Sequence, residues 1–174
     1  MKKVRWGTFQ DILFLLFLAG NVCGCVTANL LGGELLKQIG YFDSVYRFGA
    51  EMGFREKAEF WCYVLKRRIM EFGIGSLVGM TPFALPAFAG LAAFFGFGCG
   101  LLISVFTLQH GWLGIGLFLQ SVLPHWLFYM VVWTGLAVGA KDGLDKMKVH
   151  GWLFLVLVIL AGSIAEAFIN PFLL

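Results

Sequence analysis

From Phe72 to Phe106 the chain carries no charged side chain, and Pro82 and Pro86 fall in the middle of that run. A straight helix of this length would reach on the order of 50 Å at 1.5 Å per residue, against a hydrocarbon core of about 30 Å. The run must kink hard or turn back. Counted from Ile69 to Leu108, it holds enough residues for two short spans with a tight turn around Pro86 to Gly90, and Pro82 and Pro86 are its helix breaks. Gly75-x-x-x-Gly79 and Gly96-x-x-x-Gly100 supply faces on which helix backbones can approach closely.

The rest of the chain reads the same way. Hydrophobic residues make up 60% of it, charged residues 13%, and the mean hydropathy is +0.86, more than one soluble domain of 174 residues could hide in its core. The expected fold is an all-α, polytopic transmembrane bundle of about five spans, near residues 12–31, 69–87, 90–108, 113–140 and 151–172, within a single membrane domain. Lys2, Lys3 and Arg5 favour a cytoplasmic N-terminus before an uncleaved first span. The lysine excess between Lys141 and His150 favours the cytoplasm too, which five spans satisfy and four do not; the C-terminus is then extracytoplasmic. The net charge of +3 lies in small separate clusters, a pattern of membrane orientation that excludes nucleic acid as a partner and leaves lipid.

Residues 32–68 form the one extended stretch of mixed charge, read as helical and extracytoplasmic. Phe54, Ala58, Trp61, Cys62, Leu65, Ile69 and Phe72 share one helical face, while Arg55 with Glu59 and Arg67 with Glu71 can pair on the other. Such a helix lies along the membrane surface or docks on the bundle. Lys66-Arg67-Arg68 runs against an outer location under the positive-inside rule.

Polar groups inside apolar runs mark the candidate site. Pro124 frees a backbone carbonyl and His125 brings an imidazole into the fourth span; Glu166 sits in the last span, and Asn21 and Asn29 lie eight residues apart in the first. Depth counting places His125 and Glu166 near enough for a charge-assisted hydrogen bond, with Asn29 as a third partner. The same geometry could form a proton relay; a structural lock is the preferred reading. Ser121 precedes His125 by one turn, but no oxyanion-hole arrangement, paired aspartates or HExxH accompanies them, so no catalytic residues are assigned. The four cysteines lack zinc-like spacing with histidine, and neither a metal nor a cofactor is expected.

Leu123-Pro124-His125, followed by Glu166-Ala167-Phe168-Ile169-Asn170-Pro171, resembles the stage II sporulation protein M family of bacterial integral membrane proteins. The charged segment after span one and the glycine-rich run with central prolines extend the resemblance along most of the chain, although Trp126 stands where many relatives carry a small residue. The resemblance implies a multi-pass cell-membrane protein of the sporulation septum, required for engulfment. It would anchor and localise two peptidoglycan hydrolases, a lytic transglycosylase and an amidase/endopeptidase, without catalysis of its own. On that reading residues 32–71 contribute to recruiting the partners, with Arg47, Arg55, Trp61 and Lys66 as contacts. The alternative is a small permease or transporter subunit that works as a homo-oligomer, with Glu166 functional in the membrane.

Overall fold

The computed structural model describes residues 6–51 and 53–169, with side-chain surroundings for 9–31, 53–120, 122 and 124–169. Helices account for the fold, and no strand is present among the described residues. They are α1 (Trp6–Glu51), α2 (Phe54–Gly79), α3 (Ala84–His110), α4 (Trp112–Asp142) and α5 (Val149–Ile164), the last continuing into a π-helical turn, Ala165–Ile169. Phe9–Leu31, Ala84–His110 and Val149–Ile169 are each long and apolar enough to cross a membrane, and α4 makes a fourth if its two bent halves count as one span. The flanking segments at 1–5 and 170–174, including Lys2, Lys3, Arg5, Asn170 and Pro171, lie outside the described residues.

The helix boundaries follow local chemistry. Gly53 precedes α2 in an extended conformation, and its N–H donates to the Glu56 side chain at 2.9 Å, which ties down the first turn. The helix ends where the Met80 N–H reaches back to Ser76 and Leu77 and Thr81 to Val78, with Pro82 in the following turn. The break between α2 and α3 therefore falls at residues 80–83, ahead of the turn expected at Pro86 to Gly90. Pro86 instead occupies the first turn of α3, where a missing N–H costs no helical hydrogen bond. Gly111 alone separates α3 from α4, at φ +59°, a conformation that disfavours side chains with a Cβ. Within α4, Trp112–Gln120 and Pro124–Asp142 are bent by 62°, as an interior proline dictates.

The chain divides into two compact units, residues 1–40 with 86–116 and residues 41–85 with 117–174. In the first, α1 and α3 meet backbone to backbone. A Cβ added at Gly20 would fall on the Ala93 carbonyl, at Gly24 on that of Phe97, at Gly96 on that of Phe17 and at Gly100 on that of Asn21. The Gly96-x-x-x-Gly100 face is thus matched by a second glycine pair on α1. Ala28, Val105 and Leu101 close the contact further along.

In the second unit α2 runs antiparallel to α5. Phe54 meets Phe168 at one end, with ring centroids 6.2 Å apart, and Phe72 meets Trp152 at the other, at 5.9 Å edge to face. Gly75 accommodates Trp133 of α4, Gly135 faces Leu155 of α5, and Gly162 faces Phe128 and Tyr129. The inward stripe of α2 differs from the sequence expectation. Lys57, Val64, Gly75, Ser76 and Gly79 are buried and Arg68 is mostly covered, while Phe54, Cys62 and Ile69 of the expected apolar face are exposed. The reason is ionic: Arg68 finds a carboxylate inside the unit.

Candidate functional site

The second unit gathers its polar side chains where α2, α4 and the π turn meet. Glu166, in the first position after the turn begins, receives three hydrogen bonds: from Arg68 Nε at 3.0 Å and Nη2 at 2.8 Å, and from the Tyr129 hydroxyl at 2.7 Å. A carboxylate offers about four acceptor positions, and three are taken here. The remaining Arg68 Nη1 donates to Glu71 at 2.8 Å, while Arg67 Nε reaches the other Glu71 oxygen at 3.2 Å. Two guanidinium groups thus face two carboxylates, and the cluster carries no net charge. The Arg68 guanidinium also lies over the Tyr129 ring, 4.4 Å from its centroid, a cation–π contact that fixes its plane.

The cluster holds an ion pair shielded on both sides, with 25% of the Arg68 side chain and 20% of Glu166 exposed. A cavity of about 20 Å³ borders Arg68, Glu71 and Tyr129, room for a single water. Seven residues before Arg68, the Trp61 indole donates to the Ser163 hydroxyl at 3.0 Å, and Ser163 in turn donates to the Leu160 carbonyl at 2.8 Å.

The residues singled out in the sequence distribute unevenly around this cluster. Glu166 is its centre. His125, one turn before Tyr129 on α4, sets its ring edge-on to Tyr129 with centroids 5.9 Å apart, so it borders the site through that aromatic ring. Pro124 lies in the bend just before it. Asn29 belongs to the other unit: it is exposed and its Nδ2 donates to the Cys25 carbonyl at 2.8 Å. Asn21, half-buried there, accepts from the Cys25 thiol, which also reaches the Gly100 carbonyl.

Of the residues expected to contact partners, Arg55 is exposed and pairs with Glu59 at 4.0 Å, and Lys66 is exposed. Trp61 is half-buried, its indole taken by Ser163, and Arg47 lies on α1 with its side chain outside the described residues. Arg68, Tyr129 and Ser163 were not singled out as site residues. Helical spacing held the available signal: Tyr129 follows His125 by four residues, Ser163 precedes Glu166 by three, and Arg68 precedes Glu71 by three. Among the described residues no group of three or more histidine, cysteine, aspartate or glutamate side chains is arranged to hold a metal ion. No protein-family model, curated protein or solved structure matches the chain.

Proposed function

We propose that the protein is a non-enzymatic, multi-pass scaffold of the bacterial cell membrane that holds extracytoplasmic peptidoglycan hydrolases in place, in the sporulation engulfment machinery that its motifs suggest. The observation that carries the non-catalytic reading is the state of Glu166. A carboxylate gripped twice by an arginine and once by a tyrosine is fixed in place, which suits a lock between helices better than a mobile proton carrier.

On this reading the second span begins near Ile69, in the C-terminal half of α2, which as a whole is not among the described helices long and apolar enough to cross a membrane. The helix lies alongside α5 from Phe54 to Phe72, and its outward face is apolar from Ile69 to Leu77. Five spans then place the N-terminus and the 141–150 loop in the cytoplasm and the C-terminus outside. The recruiting surface becomes residues 32–53, around Arg47, since Trp61 is committed to Ser163. Scrambling residues 32–51 while preserving membrane insertion should abolish retention of a lytic transglycosylase and an amidase/endopeptidase on the tagged, detergent-solubilised protein. Undiminished retention sinks the assignment.

A transporter subunit is the second reading, favoured by one feature: Glu166 sits on a π-helical turn, an irregularity frequent at functional sites. Substrate- or proton-coupled flux in liposomes, abolished by Glu166→Gln, would replace the scaffold with it.

A further inference from the structure

The glycine contact between α1 and α3 brings two thiols to one edge of the helix pair. The helices run side by side in the same direction, with Phe17 against Gly96, Asn21 against Gly100 and Ala28 packed with Val105 further along. Cys25 follows Asn21 by one turn and Cys99 follows Gly96 by three residues, so both flank the contact on the side of those first two pairs. The Cys25 Sγ lies 3.4 Å from the carbonyl oxygen of Gly100, the residue next to Cys99, and the two thiols are close enough for charge on one to be felt by the other. A disulfide joins Cα atoms about 4.4–6.8 Å apart, while packed helix axes ordinarily stand roughly 8–10 Å apart. Helices held off by large side chains cannot offer so short a span at their flanks; helices in backbone contact can. Cys25 and Cys99 are both half-buried at this edge, whereas Cys23 and Cys62 are exposed.

We propose that Cys25 and Cys99 form a redox site, at which a membrane-soluble quinone converts the two thiols into a disulfide that locks α1 to α3. Both S–H bonds break and one S–S bond forms; the two protons and two electrons released reduce the quinone to its hydroquinone. The cysteines sit in Phe9–Leu31 and Ala84–His110, two segments long and apolar enough to cross a membrane, and Val22, Val26 and Phe94 near them are exposed. An oxidant dissolved in lipid reaches such a place directly, whereas a charged one such as glutathione disulfide would have to shed its water. The bond closes a long loop between residues 25 and 99, which restricts the unfolded chain and so favours the folded one. The reduced protein keeps the α1–α3 contact by packing, and the oxidised one keeps it covalently.

The test uses the full-length protein in its native membrane, reduced with dithiothreitol, washed, exposed to a short-chain quinone, then denatured and labelled with maleimide. The Cys25 and Cys99 thiols should disappear together, leaving an intact chain lighter by two hydrogens and a peptide pair bridged through these two residues, and reduction should restore both. Cys99→Ser should leave Cys25 open to labelling, and Cys25→Ser should leave Cys99 open. In detergent the oxidised protein should unfold at a temperature higher by roughly 5 °C or more, a gain that Cys99→Ser lacks. Thiols that persist under the quinone, oxidation of one of them alone to a sulfur acid, or bridges to Cys23, Cys62 or another chain would each overturn the site. An unchanged unfolding temperature overturns the lock, and a bridge formed by glutathione disulfide but not by the quinone overturns the lipid-dissolved oxidant.

Discussion

Arg68 holds Glu166 with two nearly parallel hydrogen bonds, Nε to Oε2 at 3.0 Å and Nη2 to Oε1 at 2.8 Å, across 98 residues of sequence. This fork ties α2 to the end of α5, and removing either tooth strands a charge in a mostly covered site. Arg68→Gln should lower stability by about 3 kcal/mol, read as a fall in the unfolding temperature in detergent. Arg68→Met combined with Glu166→Leu should recover most of that loss, because two apolar side chains leave no charge unpaired. A double variant as unstable as the single one would show that the pair does more than neutralise itself.

Tyr129 contributes a hydroxyl and a ring, and the two can be separated. Tyr129→Phe removes the 2.7 Å hydrogen bond to Glu166 while keeping the face that Arg68 covers, and should cost about 2 kcal/mol. Tyr129→Leu removes both and should cost about 1 kcal/mol more. Equal losses in the two variants would show the ring contact to be inert.

The α1–α3 contact can be probed on a single helix. Gly98 has open space where a Cβ would go, whereas a Cβ at Gly100 would strike the Asn21 carbonyl. Gly100→Ala should therefore destabilise the protein by about 2 kcal/mol, and Gly98→Ala should leave it unchanged or gain up to about 1 kcal/mol from helix propensity. Thermal unfolding of the two variants side by side decides the matter, and similar effects at both positions would refute the backbone-to-backbone geometry.

Trp61 was expected to face partners, and it faces Ser163. Trp61→Phe and Ser163→Ala should each cost about 1 kcal/mol or more, with a coupling near 1 kcal/mol in the double-mutant cycle. Additive losses would mean the 3.0 Å contact contributes nothing of its own.

The sequence carries the helices, Glu166 as a charged group inside the last apolar run, and the Gly96/Gly100 face because each rests on composition or on spacing within one segment. Other features depend on what the chain meets elsewhere. Arg68 reads locally as one of three consecutive basic residues and as an argument about topology. Its charge is cancelled by Glu166, on another helix, and by Glu71, so the cluster is less basic than Lys66-Arg67-Arg68 suggests. Tyr129 sits in an apolar run, where nothing but its four-residue offset from His125 hints at a role. The α2–α3 break could not be read from the prolines alone, because Pro82 ends a helix and Pro86 is tolerated at the start of one. Asn29, the proposed third partner, is bound to its own helix by a contact that any exposed asparagine can make.

The π turn at Ala165–Ile169 has a bearing on how the chain can change over time. Its hydrogen bonds close over five residues instead of four, so α5 carries one residue more than a regular helix needs just where Glu166 meets Arg68. A deletion of one residue there has slack to draw on, whereas the same deletion earlier in α5 would rotate Glu166 away from its partners. Length variation in this helix should accordingly collect at its end, with the Arg68 fork deciding which lengths survive.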